Sequence, residues 1–352
     1  MSETRETNLS LTEWAVRIMN TADANKKLTH HFADIWQTGQ ISTVGTAFPP
    51  DRPVRSDSLE VIAPGKAVKV GKGGTLQSRV AILHALANVE QWAIDTALDN
   101  MARFRAYVPN RCVHEDDPEP GAAAVERNDP GVAGGRATHA EEIEMPKAFF
   151  DDFVRMAAEE AKHFKWLNRR LEDLGSYYGF LPIHSGIWDS ASETSHSALC
   201  RMAIVHMVHE ARGLDVNPST IGKFSASGDA QSTSMLELIH ADEVSHVATG
   251  RRWFAWLCDR QLGIADPAAQ EERFHALVRR HFRGGLKPPF NEEARREAGM
   301  EKGWYEPLAE VYVPKKERGD GEAGGVGMEK RRVPGKRRDG RRKGKGNEGE
   351  VL

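Results

Sequence analysis

The sequence predicts an all-α protein, and three observations indicate this fold class. Long segments place apolar residues at the three- and four-residue spacing of an amphipathic helix. The alternation of apolar and polar residues that marks strands is nearly absent. Of the 352 residues, 39% are hydrophobic and 28% are charged, a composition typical of a globular chain with a sizeable core.

The composition also excludes several classes of protein. No apolar run approaches the roughly 20 residues that span a bilayer, so we expect no membrane segment. The first ten residues are not typical of a signal peptide or a transit peptide. The cysteines Cys112, Cys200 and Cys258 have no paired spacing, which argues against a disulfide scaffold and against a cysteine zinc site. We therefore expect an intracellular, cytoplasmic protein.

Apolar spacing and helix-stop residues define the predicted elements. Helices are predicted over 11–37, 77–105, 146–174, 192–212, 229–258, 266–282 and 292–311. Glycines at positions 39, 175 and 213 are the predicted stops of three of them. The connection over 41–75 holds four prolines and five glycines, so we expect it to wrap over the surface. The expected organisation is an N-terminal part (1–75), a helical body (76–313) and a tail (314–352).

Two segments have a composition unlike that of the helical body. Residues 109–146 contain five prolines, four glycines and nine acidic against three basic residues, too little apolar surface to offset the entropy of ordering, so we predict a disordered insert. From Lys315 the tail has a net charge of +6, whereas the rest of the chain has −9. The basic tail has three interpretations: a nuclear-localisation segment, a non-specific nucleic-acid arm, or a solvated terminus.

Four of the predicted helices place a glutamate where a core-facing apolar residue belongs. The four glutamates are Glu90, Glu160, Glu210 and Glu243. Because an unpaired buried charge costs several kcal/mol, four of them require a strong countercharge, which two divalent or trivalent metal ions would supply. The alternative interpretation is that they form partly exposed salt bridges on amphipathic helices.

Two of these glutamates have a histidine three residues later, His163 after Glu160 and His246 after Glu243, so both side chains of each pair can reach one ion. Three other Glu-x-x-His pairs lie off the apolar stripes: Glu193/His196, Glu237/His240 and Glu272/His275. Di-iron and di-manganese carboxylate bundles have such a ligand set: one Glu from each of two helices, and Glu-x-x-His from each of two others. The sequence therefore predicts six metal ligands: Glu90, Glu160, His163, Glu210, Glu243 and His246.

Further polar residues lie near the predicted ligands: His84, His184, His206, His209, Arg212 and Asp242. His206 lies one turn before Glu210, so it is an additional ligand, a hydrogen-bond donor behind the ligands, or a core histidine. His184 follows the third predicted helix, where it would cover one mouth of the bundle if it is not a linker residue.

Several runs of residues are similar to an uncharacterised bacterial and fungal family, domain of unknown function 455, within the ferritin-like superfamily. The runs are Leu83-His84-Ala85-Leu86-Ala87 before Glu90, residues 145–152, residues 157–164, Glu210-Ala211-Arg212-Gly213-Leu214-Asp215, residues 242–246 and Arg252-Trp253-Phe254. The resemblance covers roughly residues 11–314. It implies a ferritin-like four-helix bundle with extra N-terminal and C-terminal helices and a di-metal site, but it names no substrate.

We expect O₂-dependent oxidation or hydroxylation at two iron ions, or at an Fe/Mn pair, with a small substrate and an electron donor as partners. The alternatives are a ferroxidase or peroxide-consuming protein without an organic substrate, and a non-enzymatic metal-binding or interaction scaffold whose tail addresses nucleic acid or the nucleus. A tRNA hydroxylase is a further alternative because another ferritin-like branch does that chemistry and the tail is basic, although the body is acidic.

Deletion of most of the insert 109–146 tests its predicted disorder. Because the segment adds no core, we expect the shortened chain to keep its melting temperature and its metal content. Calorimetry and metal quantification on both chains make the comparison, and a large drop in melting temperature would show that the segment is structural.

Overall fold

The computed structural model describes residues 9–27, 29–63, 66, 70–107, 142–282 and 285–309. Helices dominate these ranges, which confirms the all-α class. The helices are α1 (Leu11–Met19), α2 (Thr29–Gln37), α3 (Leu76–Arg103), α4 (Lys147–Asp173), α5 (Gly186–Glu193), α6 (Ala198–Arg201), α7 (Glu210–Ala226), α8 (Ala230–Leu262), α9 (Pro267–His281), α10 (Glu292–Glu297) and α11 (Lys302–Tyr305). None of them is both long enough and apolar enough to cross a membrane.

A pair of short antiparallel strands, β1 (Ala106–Tyr107) and β2 (Ile143–Glu144), joins the two ends of the predicted insert. The sequence did not predict this pairing, because two-residue strands carry no alternation pattern. Most of the predicted insert (residues 109–141) and the whole predicted tail (314–352) lie outside the described residues.

The helix predicted over 11–37 is two helices. A capping box between Ser10 and Glu13 starts α1, which ends at Met19. The side chain of Asp23 then accepts a hydrogen bond from the amide of Asn25 and caps a 3₁₀ turn at Ala24–Lys26. The apolar spacing continues across this polar interruption, so periodicity alone could not reveal the break.

The helix predicted over 192–212 was also wrong at both ends. Helix α6 begins only at Ala198, and the helical path then continues through a π-helical segment, Met202–His209, into α7. It passes Gly213 and Pro218 without a stop, because α7 still buries Leu214 and Phe224. The segment between the third and fourth predicted helices, which we expected to be a linker around residues 181–190, contains the short helix α5.

Four long helical segments surround the predicted ligands: α3, α4, the segment from α6 through α7, and α8. The N-terminal part packs on two of them, with α1 on α3 and α2 on α4. Buried Asp95 of α3 pairs with buried Lys27, and with Arg55 at 2.5 Å. At the other end of the chain, Phe274 of α9 packs against Trp304 with ring centroids 5.4 Å apart.

Close packing between α8 and the π-helical segment depends on one glycine. A Cβ atom built on Gly250 would lie 2.4 Å from the carbonyl oxygen of His206. Because that atom belongs to the backbone, the two helices would have to move apart. Gly250 therefore sets the distance at which the π-helical segment approaches α8.

Substituting Gly250→Ala should destabilise the fold by about 1–3 kcal/mol through this overpacking. Gly222→Ala is the matched control, because Gly222 lies within α7 and its Cβ would meet nothing within 4 Å. We expect this control to gain about 0.5–1 kcal/mol from better helix propensity. Chemical denaturation of both variants measures the difference, and equal effects would contradict the packing argument.

Candidate metal centre

The structure brings all six predicted ligands together in two overlapping groups. One group is Glu90, Glu160, His163 and Glu243, and the other is Glu160, Glu210, Glu243 and His246. Within each group the potential ligand atoms all lie within 4.8 Å of one another. Glu160 and Glu243 belong to both groups, so two ions held side by side would share these two carboxylates.

The shared carboxylates divide their oxygens between the two histidines. Glu160 Oε2 lies 3.6 Å from Nδ1 of His163, and Oε1 lies 2.9 Å from Nδ1 of His246. Glu243 does the same, with Oε1 3.6 Å from His163 Nδ1 and Oε2 3.6 Å from His246 Nδ1. Glu90 lies 3.4 Å from His163 Nδ1 and serves only the first group. The arrangement therefore has a near two-fold symmetry.

Several atoms at the centre are buried and, although they lie close to one another, form no hydrogen bond of acceptable geometry. They are both carboxylate oxygens of Glu160 and the Nδ1 atoms of His163 and His246. All three side chains are at most 1% exposed. Buried polar atoms are nearly always satisfied, and metal coordination would satisfy each of these. Carboxylate oxygens with imidazole nitrogens suit iron and manganese, so the residues fit a pair of such ions.

A second layer of carboxylates orients the two histidines. His163 Nε2 lies 2.9 Å from Oδ2 of Asp242, and His246 Nε2 lies 2.9 Å from Oε2 of Glu159. When Nε2 donates to a carboxylate, the lone pair of Nδ1 points at the centre, as a metal ligand requires. The contacts cross between two helices. Glu159 precedes Glu160 on α4 but contacts His246 of α8. Asp242 precedes Glu243 on α8 but contacts His163 of α4.

Sequence reasoning did not include Glu159 and placed Asp242 only beside a ligand. A signal for both was present, because α4 and α8 share the pattern of an acid, then Glu, then two residues, then His. Lys162 lies 2.6 Å from Asp242 and Arg155 lies 3.0 Å from Glu159, so each acid also has a cationic neighbour.

Without metal, protons replace part of the missing positive charge. Burial and the nearby carboxylate of Glu160 raise the pKa of Glu90 well above its ordinary value, and burial and Glu243 do the same to Glu210. Burial alone would lower the pKa of His163, but the carboxylates of Glu160 and Glu90 outweigh it and raise the pKa to about 11. Burial would also lower the pKa of His246, but neighbouring carboxylates, chiefly Glu160, raise it well above its ordinary value.

His206 lies behind the ligands and does not join them. Arg201 donates to Oδ1 of Asn100 at 3.0 Å, which turns the amide nitrogen of Asn100 toward His206 Nε2 at 2.6 Å. His206 Nε2 is therefore the acceptor, and its proton is on Nδ1, 3.8 Å from Glu210. Burial, reinforced by Arg201, lowers its pKa to about 3, so this histidine is neutral. A protonated Nδ1 offers no lone pair to a metal.

The other histidines named from the sequence have structural contacts. His84 Nε2 accepts from the amide of Gly179 at 2.9 Å, and burial lowers the pKa of His84 to about 4. His184 acts through its backbone, because its carbonyl oxygen accepts from the Trp92 indole at 2.9 Å. His209 Nε2 lies 2.9 Å from the hydroxyl of Ser190.

A cavity of about 280 Å³ adjoins the centre. Four of the predicted ligands, Glu90, Glu160, Glu210 and Glu243, line one part of it, and the rest is mainly apolar. The lining includes His209 and Arg212, so Arg212 faces this space although it is not among the ligands. The centre is therefore reachable by a small molecule through an apolar passage.

Comparison with known proteins decides the family. The family model described as "Protein of unknown function (DUF455)" matches residues 19–306. The chain belongs to this family. A protein of Haemophilus influenzae described as "Uncharacterized protein" is 31% identical to it over 251 residues, which cover 71% of this chain and 72% of the relative. No solved structure matches the chain. The DUF455 resemblance is thus confirmed, and neither description states an activity.

The stabilisation that Mn²⁺ gives should grow with pH. In the folded, metal-free protein the raised pKa values favour the protonated forms of Glu90, Glu210, His163 and His246. The two histidines stabilise the metal-free fold fully below their unfolded pKa of about 6.5 and lose this as pH rises toward their folded pKa. The two glutamates destabilise it increasingly as pH rises above about 4.5.

Because metal must displace these protons, we expect a larger Mn²⁺-induced rise in melting temperature at pH 8 than at pH 6.5, with protons released on binding. The difference between loaded and metal-free samples is the measurement, since distant groups contribute equally to both. If Mn²⁺ raised the melting temperature by the same amount at both pH values, the raised pKa values of the four groups would be contradicted.

Proposed function

We propose that this chain is a non-haem di-iron carboxylate protein of the ferritin-like type that uses O₂ to oxidise a small organic substrate. One observation carries the proposal: Glu160 and Glu243 each turn one oxygen toward His163 and the other toward His246. Carboxylates shared in this way suit two ions held a few ångströms apart.

The ligand set favours iron or manganese over zinc and magnesium. Structural zinc sites use four ligands rich in cysteine or histidine, whereas this centre offers four carboxylates and two imidazoles. Magnesium sites keep oxygen ligands and seldom include histidine. Two iron ions, or an Fe/Mn pair, would supply the electrons and the open coordination positions for O₂ chemistry.

The residues of the chain have distinct roles in this proposal. Glu160 and Glu243 balance positive charge on both sides of the centre, while Glu90 and Glu210 each serve one side. Asp242 and Glu159 hold the imidazoles of His163 and His246 in place through their Nε2 atoms. Buried Phe153 and Phe164 lie on the same face of α4 as Glu160 and exclude water from that side of the centre.

The apolar cavity favours an organic substrate over iron or peroxide alone. A ferroxidase needs a route for hydrated cations, which polar or acidic side chains would line. The passage instead presents side chains such as Leu86, Val205, Leu236 and Ile239 next to the carboxylates. A small molecule with an apolar part would displace water there at little cost.

Metal content tests the centre itself. We expect about two metal ions per chain, and the loss of at least one in Glu160→Ala and in Glu243→Ala. Glu237→Ala is the matched control, because Glu237 is an exposed member of a Glu-x-x-His pair on α8 and touches neither group. Stoichiometric metal binding in the Glu90/Glu160/Glu210/Glu243 quadruple alanine variant would contradict the assignment of the metal site. If the wild-type protein bound no metal, the non-enzymatic interaction scaffold would be the alternative that remains.

Oxygen consumption separates the enzymatic alternatives. The protein is loaded anaerobically with Fe²⁺, exposed to O₂ and followed by absorption spectroscopy. We expect new bands that Glu160→Ala lacks and Glu237→Ala keeps. Consumption that continues with each further addition of Fe²⁺, without an organic substrate, would identify a ferroxidase instead.

A further inference from the structure

The cavity beside the carboxylates extends along two helices for a definite length. On α7 its lining extends from Glu210 to Asn217, and on α8 from Glu243 back to Leu236. Seven residues of helix rise about 10 Å, so both walls give the same depth. A depth of about 10 Å and a volume of about 280 Å³ suit a chain of about eight to ten non-hydrogen atoms.

The outer part of the cavity has an apolar rim with one arginine. Val89 of α3 and Val216 of α7 line the cavity, and each is 38% exposed, so they mark where it reaches solvent. Arg212, also exposed, lies one turn before Val216. These two valines make the rim of the cavity apolar.

The guanidinium of Arg212 has no acid to neutralise it among the residues that the structure describes. Its Nη1 donates to the carbonyl oxygen of Lys287 at 2.9 Å, which holds the side chain in place. The nearby acid on α7, Asp215, is already committed to buried Arg295 at 2.7 Å. Arg212 thus presents an uncompensated positive charge at the rim, with nitrogens left over for a ligand.

A second, smaller cavity of about 170 Å³ shares the lining residues His209 and Arg212 with the first. It continues past Phe282 and Phe290 on the C-terminal side. Arg212 therefore lies at the junction of two spaces, which is where a polar group in the middle or at the end of a ligand would be held.

We propose that the cavity binds a small amphiphile with an anionic group, a carboxylate or a phosphate, paired with Arg212, and with its apolar chain directed inward to the carboxylate centre. Four glutamates at the inner end balance the charge of two divalent ions, so the inner end offers little net attraction for an anion. The rim offers an uncompensated arginine. This assignment names the substrate class of the oxidation proposed above and rests on it, but binding can be measured without turnover.

Octanoate, octyl phosphate and 1-octanol are suitable probes because they share one apolar chain and differ in the head group. Each is titrated by calorimetry into the full-length protein loaded with Mn²⁺. We expect octanoate or octyl phosphate to bind at least tenfold more tightly than 1-octanol, and the tighter of the two identifies the anion. Equal binding of all three, or no binding of either anion, would overturn the role of Arg212.

Substitution tests the rim. Arg212→Gln should weaken binding of the preferred anion by about tenfold or more, because a hydrogen bond to a charged group is lost, and should leave 1-octanol unchanged. The matched control is Arg169→Gln, since the Arg169 side chain is 76% exposed on α4 and lies outside the cavity. A similar loss in both variants would mean that only the general surface charge matters.

Orientation is read from the relaxation that Mn²⁺ causes in the protons of the bound probe. We expect the terminal methyl protons to relax faster than the protons next to the anionic group. The reverse order would place the anion on the metal and overturn the proposal. Ala93→Phe, which fills the cavity one turn from Glu90, should abolish binding while metal content and melting temperature persist, and unchanged binding would contradict the location.

These measurements keep the inference separate from the proposed function. Anion binding without oxygen consumption would support the cavity assignment and contradict the oxidase. Oxygen consumption in a protein that binds none of the three probes would do the opposite.

Discussion

Four glutamates that face one another at the centre of the helices, three of them buried and Glu210 half-buried, impose the constraint that the rest of the structure meets. Glu90, Glu160, Glu210 and Glu243 come from α3, α4, α7 and α8, and helices that carry them together would repel without a countercharge. Protons on two histidines and two glutamates supply it in the metal-free fold, and metal ions would supply it more strongly. Stability and function therefore depend on the same atoms.

The surrounding packing keeps these atoms in register. Gly250 brings α8 against the π-helical segment, and that segment carries the chain from α6 to Glu210. Arg201, fully buried, ties the start of this segment to Asp99 of α3 at 2.7 Å. π-Helical turns are rare and concentrate at functional sites, because they shift the direction of the side chains that follow. The direction of Glu210 thus depends on the turns before it.

Most of the side chains that surround the centre keep water away from it, except where the cavity reaches the carboxylates. Aromatic and aliphatic side chains bury the centre on the α4 side, while the cavity opens between α3 and α7. An oxidising centre of the kind proposed would benefit from this arrangement, because water is excluded and the cavity gives a small molecule a route of approach. Under the proposed binding mode, Arg212 at that route would give the passage a preference for anions that the apolar walls alone would not provide.

The sequence by itself determined the helical class, the family and the six residues that the structure brings together, because a glutamate in each of four apolar stripes is a local pattern that survives without coordinates. It could not determine that Glu160 and Glu243 are the shared carboxylates, that Glu159 and Asp242 cross to the opposite histidine, or that His206 is a neutral neighbour. Those facts depend on how helices distant in sequence pack. The continuation past Gly213 was likewise decided by burial in the tertiary structure, which outweighs local helix propensity.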